Sequence, residues 1–540
     1  MSVAVLDERP TWHEVVLSFA PPQKRTSRAV TLLARLPIWL ILIGQAVLTW
    51  RLSDIANDDE ALYIDAGHDI LSHAIMGSHV AGYGSYFSGA PAGYPVVAAA
   101  LDSVGGLVLV RLFSLACLLV CTVCVQRSSQ HLFGRRAGLF SALVFALSGS
   151  VLFVGKLATY DAPCIALIAL AMTWAITRRS VVSGAGIGIL LALAATTKYA
   201  GAAFIPVILA MCFLSASATT VRDYLRPTAR SVVAAIVVVG VLLGGFHLWG
   251  ASIRPGLSFT TTGRKALDYQ PMVVLLRSLV DDIGLVVVLA LVALVLLSGQ
   301  RAWRKVLVSL VCLVGGLLLP LSQIRIHEFT SLDKHTAFSA LFLAVPAGLA
   351  LASIFTMRGS IKVAAAVVIW LLLIDGLWRS ETQYSWPSTL MKALAVVDAN
   401  PVPGTYVSID GDAARYYWAL DPHIRWESSS FAHSLFDQGT PVVISAIRSR
   451  QFSGFVYQTG DFTAARQREQ ATVTKYFAQD PDYRLAARFR VSPYGTSEWY
   501  VWQKWTGTTN VRRVPSVART TQHAYAVAES AAIAPGALHG

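Results

Sequence analysis

Long apolar runs recur from Leu36 to Trp378, among them Val232–Gly250 and Ala337–Ile354. A helix needs about 20 mostly apolar residues to cross a bilayer, and these runs qualify or come close. They commit most of the chain to membrane-spanning helices. The charged fraction agrees: only 14% of residues are charged and the mean hydropathy is +0.56, against about 25% charged in an ordinary soluble domain. A large soluble enzyme is excluded. The first run follows Lys24, Arg25, Arg28 and Arg35, has no small-residue cleavage site and is followed at once by charge, so it reads as a retained signal anchor.

Candidate spans are 33–52, 104–125, 137–155, 162–177, 182–197, 200–217, 231–250, 281–299, 306–322, 336–356 and 361–378, about eleven in all. The chain thus divides into a cytoplasmic segment at 1–30, a membrane domain at 31–379 with a first external loop at about 53–103, a polar domain at 380–510, and a disordered tail rich in alanine and small polar residues at 511–540. The net charge of +13 would suggest nucleic acid in a soluble protein. Here it distributes into alternate loops: Arg127, Arg135 and Arg136; Arg178 and Arg179; Arg222, Arg226 and Arg230; Arg301, Arg304 and Lys305; Arg358 and Lys362. By the positive-inside rule these loops are cytoplasmic, and no nucleic-acid partner is expected. The first opposite loop is acidic, with Asp54, Asp58, Asp59, Glu60, Asp65, Asp69 and Asp102. Residues 251–280, also external, fit less well because they hold Arg254, Arg264, Lys265 and Arg277. An odd number of spans places the C-terminal domain outside the cytoplasm.

That domain reads as mixed α/β. Strands are expected at Thr405–Ile409, Pro441–Ile444 and Phe455–Tyr457, a helix at 464–478, and a closing hairpin from Ala486–Val491 and Glu498–Trp502. Asp410 and Asp412 flank a turn that either binds metal or sugar or is simply held by side-chain hydrogen bonds. The six cysteines, Cys117, Cys121, Cys124, Cys164, Cys212 and Cys312, all lie in apolar segments. A disulfide framework is therefore not expected. The first three share a helix face but lack His or carboxylate neighbours at ligand spacing, which favours packing over zinc.

Four polar features stand at the external ends of spans. Asn57-Asp58-Asp59-Glu60, continuing through Tyr63 to His68, puts three adjacent carboxylates at the membrane surface. Either they cap a helix, whose dipole favours acids in its first turn, or a cation, a hydroxyl-bearing substrate or nearby bases offset their repulsion. Asp161, in the short turn Lys156–Pro163, is on the same side and is either a helix cap or a second working carboxylate. Lys198 interrupts an apolar stretch and either snorkels to the interface or meets an anionic headgroup. The turn from Gln323 to His335 holds Arg325, His327, Lys334 and His335, which are either solvated or recognise phosphate. An acidic loop and a basic loop on one membrane face suit a site that binds a phosphorylated lipid and activates a hydroxyl.

In this combination the chain resembles the GT-C glycosyltransferases, in particular the glycosyltransferase family 39-like branch of protein O-mannosyltransferases and the aminoarabinose–lipid A transferase. The resemblance covers about residues 30–380, mostly as topology. It implies a GT-C fold, an α-helical polytopic membrane body, with an extracytoplasmic α/β domain in a bacterial cell membrane. Asp59-Glu60 resembles the family's acidic pair after the first span, Asp161 its second acid, Thr197-Lys198 its deeper basic position and Arg325–His335 its basic external loop. The implied donor is a polyprenyl-phosphate-linked sugar, which needs no nucleotide-binding loop, and none follows any expected strand. The implied reaction is one inverting displacement onto a hydroxyl of a protein, lipid or glycan. Asp59 is the implied base, with Glu60 and Asp161 as catalytic neighbours, and Lys198, Arg325, His327, Lys334 and His335 would meet the donor phosphate. Tyr63, His68, Tyr83 and Tyr86 would meet acceptor or sugar, unless the tyrosines simply anchor at the membrane interface. Relatives differ over a divalent cation, Mg or Mn, for which Asp59, Glu60 and Asp161 would be the ligands. Where lipid A-modifying relatives carry Lys or His before a Pro pair, Tyr86–Pro95 has no basic residue.

Two other classes bear on these residues. A transporter or lipid flippase would place ionisable groups along a path at the midplane, often between inverted repeats; the acids here cluster at one face and no repeat is evident. A non-catalytic scaffold would leave Asp59 and Asp161 without a shared purpose.

Overall fold

The computed structural model describes residues 28–505 except 79, 81, 86, 215–220, 264–269, 330, 357–360, 385–388, 409–410, 419–422, 428–434, 436–437, 460–463 and 491–496. The tail expected at 511–540 and most of the 1–30 segment lie outside the described residues. The membrane body runs α1 (Arg28–Trp50), α2 (Asp58–Met76), α3 (Tyr94–Phe133), α4 (Arg135–Leu147), α5 (Gly149–Lys156), α6 (Asp161–Thr177), α7 (Ser183–Thr197), α8 (Ile205–Leu214), α9 (Leu225–Ser258), α10 (Met272–Gly299), α11 (Trp303–Ile326), α12 (Leu332–Thr356) and α13 (Ile361–Tyr384).

Six of these are long and apolar enough to cross a bilayer, or seven if α4 and α5, bent by 62° at Ser148, are one span. This is fewer than the eleven expected. The other four expected spans are present as shorter apolar stretches of 10–17 residues, Arg35–Trp50 within α1, Asp161–Thr177, Ser183–Thr197 and Tyr199–Leu214, against the ~20 that cross a bilayer unaided. α12 is the central post, with 78% of its most apolar window buried, whereas α9 lies at the edge with 11%. The main core gathers Leu118, Phe145, Ile165, Phe204 and Phe342 from five elements. Cys121, Cys124, Cys164, Cys212 and Cys312 are buried in it and all six cysteines are free thiols. Arg230, expected as a cytoplasmic anchor, is buried instead. It donates to the carbonyls of Ala175, Arg178 and Cys212, at the C-terminal ends of α6 and α8, where helices have carbonyls with no partner of their own.

α3 starts ten residues before the span expected there. At 1.5 Å per residue its 40 residues would reach about 60 Å, twice a hydrocarbon core. Gly105 and Gly106 break it, Gly106 with φ 62°, a conformation that favours glycine. The segment before the break carries Asp102 into the first loop, and the segment after it forms the span.

The first loop packs against the turn at Lys198. Ala90 N–H donates to Thr196 O (2.8 Å) and Tyr199 N–H to Ser88 O (2.7 Å). Between them, a Cβ on Gly89 would lie 2.2 Å from Thr197 O. Gly89→Ala must push two backbones apart and is expected to cost about 1–3 kcal/mol, read as a lower melting temperature in detergent. An unchanged melting temperature would show that the two turns can separate freely.

The C-terminal domain runs α14 (Thr389–Ala399), β1 (Gly404–Ser408), α15 (Gly411–Trp418), β2 (Ile424–Trp426), α16 (Thr440–Arg448), β3 (Gly454–Thr459), α17 (Ala464–Gln479), β4 (Tyr483–Arg490) and β5 (Glu498–Lys504). Its mixed sheet has the order β2-β1-β3-β5-β4, with β1 parallel to β2 and β3, and β5 antiparallel to β3 and β4. The strand expected at Pro441–Ile444 is instead the first turns of α16. Gly439 enters at φ 92° and Pro441 sits in the first turn, where its missing N–H costs no hydrogen bond. A short apolar run looks alike in a strand and in a buried helix.

Candidate active site

Three carboxylates at one end of the membrane body each meet their own base. Asn57 caps α2: its side chain accepts from Asp59 N–H (2.7 Å), and Glu60 Oε2 accepts in return from Asn57 N–H (2.8 Å). This reciprocal box fixes the first turn of α2 and sends Asp59 and Glu60 in different directions. Glu60 turns inward and is fully buried. Arg111, on α3, grips both its oxygens (2.9 and 2.8 Å) and also donates to Asp54 O and Ile55 O (3.0 and 2.9 Å). Ala158 N–H adds a third donor to Glu60 (2.6 Å). The Glu60 carboxylate thereby joins the acidic loop, α3 and the turn before α6.

Asp59 stays accessible, with 41% of its side chain exposed, and pairs with Lys334 at the start of α12. Asp161, the first residue of α6, is buried. It pairs with Lys198 and accepts from the Thr159 hydroxyl (3.1 Å). Lys198 leaves the helical conformation at the end of α7 (φ −142°) and lies 5.3 Å from the Tyr160 ring centre and 5.6 Å from that of Phe338. Lys334 and His335 are within electrostatic reach of Asp161. The two ion pairs therefore belong to one polar centre.

Tyr63, one turn after Asp59, is buried against Tyr160 (4.6 Å between ring centres), with Phe87 at 5.3 Å and Tyr94 at 6.1 Å. Burial pushes the Tyr63 phenol well up, and Tyr160 and the Asp59 charge push it further. Burial, then Asp161 and Asp59, raise Tyr160 likewise. Both phenols keep their protons at neutral pH.

His335 is buried beside Lys334 and bonds through Nδ1 to Gln323 (2.8 Å). The remaining expected residues do not join this centre. His68 is nine residues from Asp59, which at about 100° per residue puts it on the opposite face of α2; its Nε2 meets Asp102 (2.8 Å). Tyr83 is buried and donates to Asp69 (2.5 Å). His327 closes α11 in the left-handed conformation, with its Nδ1 at Gln270 O (3.1 Å). Arg325 is exposed in the last turn of α11. Tyr86 lies outside the described residues, as does Asp410; Asp412 is buried at the start of α15.

The expectation that Asp59, Glu60 and Asp161 together ligate a divalent cation does not fit this geometry. Among the described residues no group of three or more His, Cys, Asp or Glu side chains is placed to hold a metal ion. Each of the three acids is directed at a different base, and Glu60's oxygens are taken by Arg111, Asn57 and Ala158.

Sequence reasoning passed over Arg111, although a charge inside an expected span calls for a partner. It also passed over Tyr160, two residues from the turn carrying Glu60's third donor, and Arg415, which binds Asp69 from the C-terminal domain.

A family model described as dolichyl-phosphate-mannose-protein mannosyltransferase matches residues 97–243, the stretch holding Arg111, Asp161 and Lys198. No curated protein matches in sequence. Among solved structures, ArnT from Cupriavidus metallidurans bound to undecaprenyl phosphate superposes with a TM-score of 0.56 at 11% identity, covering 90% of this chain and 100% of that one. The Archaeoglobus fulgidus oligosaccharyltransferase in the apo form gives 0.54 at 12% identity, covering 87% of this chain and 74% of that one. The archaeal oligosaccharyltransferase AglB from Archaeoglobus fulgidus, in complex with an inhibitory peptide and a dolichol-phosphate, gives 0.51 at 12% identity, covering 88% of this chain and 75% of that one. At these identities the likeness shows a shared fold.

Proposed function

We propose that this chain, a multi-pass membrane protein with the GT-C fold of membrane glycosyltransferases, moves a sugar from a polyprenyl-phosphate-linked donor to a hydroxyl acceptor. The observation that carries the reading is the Asp59–Lys334 pair: one accessible carboxylate held against an ammonium, beside a buried acid–base pair, at the membrane surface. The lipid phosphates in the ArnT and AglB complexes support the donor class. The positive-inside distribution of Lys and Arg supports an extracytoplasmic location for this face and for the C-terminal domain.

In the proposed step the acceptor oxygen attacks the anomeric carbon as the bond from that carbon to the phosphate oxygen breaks. The acceptor proton passes to Asp59, and the polyprenyl phosphate departs with the bonding pair. One displacement inverts the anomeric centre. Protonating Asp59 removes the charge that Lys334 was neutralising, just as negative charge grows on the phosphate. The ammonium is then free to stabilise the leaving group where charge develops. Asp161 and Lys198 hold the polar centre in shape, Glu60 holds the loop, and His335 orients α12 through Gln323.

The test is transfer in proteoliposomes supplied with labelled polyprenyl-phosphate sugars. Lys334→Ala is expected to lower kcat about 10- to 100-fold with little change in the donor KM, the cost of a charge-assisted hydrogen bond made only in the transition state, with Lys334→Arg recovering part. Absence of transfer by the unaltered protein from any such donor would overturn the reading.

A further inference from the structure

The short helix α15 of the C-terminal domain packs against the acidic loop. Four of its residues make polar links to that loop. The Tyr417 hydroxyl accepts from Ala56 N–H (2.7 Å), and Asp58 Oδ1 accepts from Ala413 N–H (3.3 Å). Arg415 donates from Nη2 to both oxygens of Asp69 (3.0 and 2.8 Å) and from Nη1 to the Tyr83 hydroxyl (2.9 Å). Tyr416 donates to one oxygen of Asp102 (2.8 Å), whose other oxygen meets His68 (2.8 Å).

These links straddle Asp59. Ala56 and Asp58 precede it, and Asp69 lies further along the same helix. The apolar packing is shared as well: Ala61, Ile64 and Tyr83 of the loop form one core with Ala413, Ala414 and Tyr416. Glu60 and Arg111 secure α2 from the membrane side, so α15 is its support from the other side. Among the described residues the Asp59 carboxylate is held by Lys334, a partner that must let go during the proposed step. Its position therefore depends on the helix that carries it. A first turn frays readily when nothing holds the helix, and catalytic groups must stay within about 0.5 Å of their working geometry.

We propose that Arg415 and Tyr416 are positioning residues for Asp59, and that α15 is thereby a working part of the site. This rests on the glycosyltransferase reading and deepens it: the C-terminal domain sets the geometry of the base. Charge matters in the Arg415 link because one nitrogen of the guanidinium, Nη2, donates to both Asp69 oxygens while the other, Nη1, donates to Tyr83, so the planar cation is held in orientation as well as distance.

The test uses the full-length protein in nanodiscs. Arg415→Ala is expected to lower kcat about 10- to 100-fold, as a misplacement near 1 Å does, while the donor KM stays within about twofold. Hydrogen exchange should quicken in the first turns of α2. The swap Asp69→Arg with Arg415→Asp should restore part of kcat, which a simple folding defect would not allow. Arg450→Ala, on the same domain but paired with Asp482 at the surface, should leave kcat unchanged. Normal kcat in a folded Arg415→Ala protein would overturn the proposal, as would a raised KM at unchanged kcat. No transfer by the unaltered protein would instead overturn the glycosyltransferase reading.

Discussion

Asp59→Asn is expected to abolish most turnover while leaving the donor bound. Asparagine keeps the size and shape of the side chain and leaves the Asn57–Glu60 capping box untouched, because Asp59 contributes only its backbone N–H to that box. What it removes is the proton acceptor and the negative charge. Positioned acid–base groups contribute about 10²–10⁴-fold, so kcat should fall by that factor. Donor affinity should hold or tighten, since Lys334 loses its carboxylate partner and turns wholly to phosphate. The signature is a fall in kcat without a rise in donor KM. Transfer within about threefold of the unaltered protein would remove Asp59 from the role of base. Asp161→Asn makes a poorer probe: it strands the buried Lys198 ammonium, so a loss of activity there mixes chemistry with folding.

Arg111→Met should produce the largest stability loss of any single change considered. It leaves the Glu60 carboxylate fully buried with its charge uncompensated. Removing one partner of a buried pair costs about 3–5 kcal/mol, whereas replacing both with neutral groups is often close to neutral. Glu60→Gln with Arg111→Met should therefore be more stable than Arg111→Met alone. Thermal unfolding in detergent of the two single variants and the double variant gives the coupling directly. Additive losses would mean that the two side chains do not depend on each other. The pair also joins Asp54, Ile55 and Ala158, so the destabilised variant should lose transfer as well, through the loop that carries Asp59.

The polar centre was partly legible beforehand, and the failures have physical causes. Asp59, Asp161, Lys198 and Lys334 stood out because acids and bases at span ends are costly and few. His68 and Tyr83 were grouped with them by nearness in sequence, yet a half-turn of helix sends His68 to Asp102, and Tyr83 is taken by Asp69 and Arg415. Three adjacent carboxylates suggested a shared cation, but the capping box points Asp59 and Glu60 apart and gives each its own base. In the C-terminal domain β1, β3, α17 and the β4–β5 hairpin follow the local pattern of side chains. α16 does not, because four apolar residues do not tell a strand from a helix.

Burial in a bilayer is priced residue by residue along the chain, so the apolar runs alone determined where the membrane helices fall. Several runs of 10–17 residues nevertheless leave the number of full crossings to the packing. Pairing of charges is a property of distance in space. Asp59 and Lys334 are 275 residues apart and Glu60 and Arg111 are 51 apart, and no local pattern links them. Only the tertiary structure decided which carboxylate is sealed with an arginine, which is buried with a lysine and which remains open to a substrate. It also brought α15 of the C-terminal domain against the helix that carries the open one.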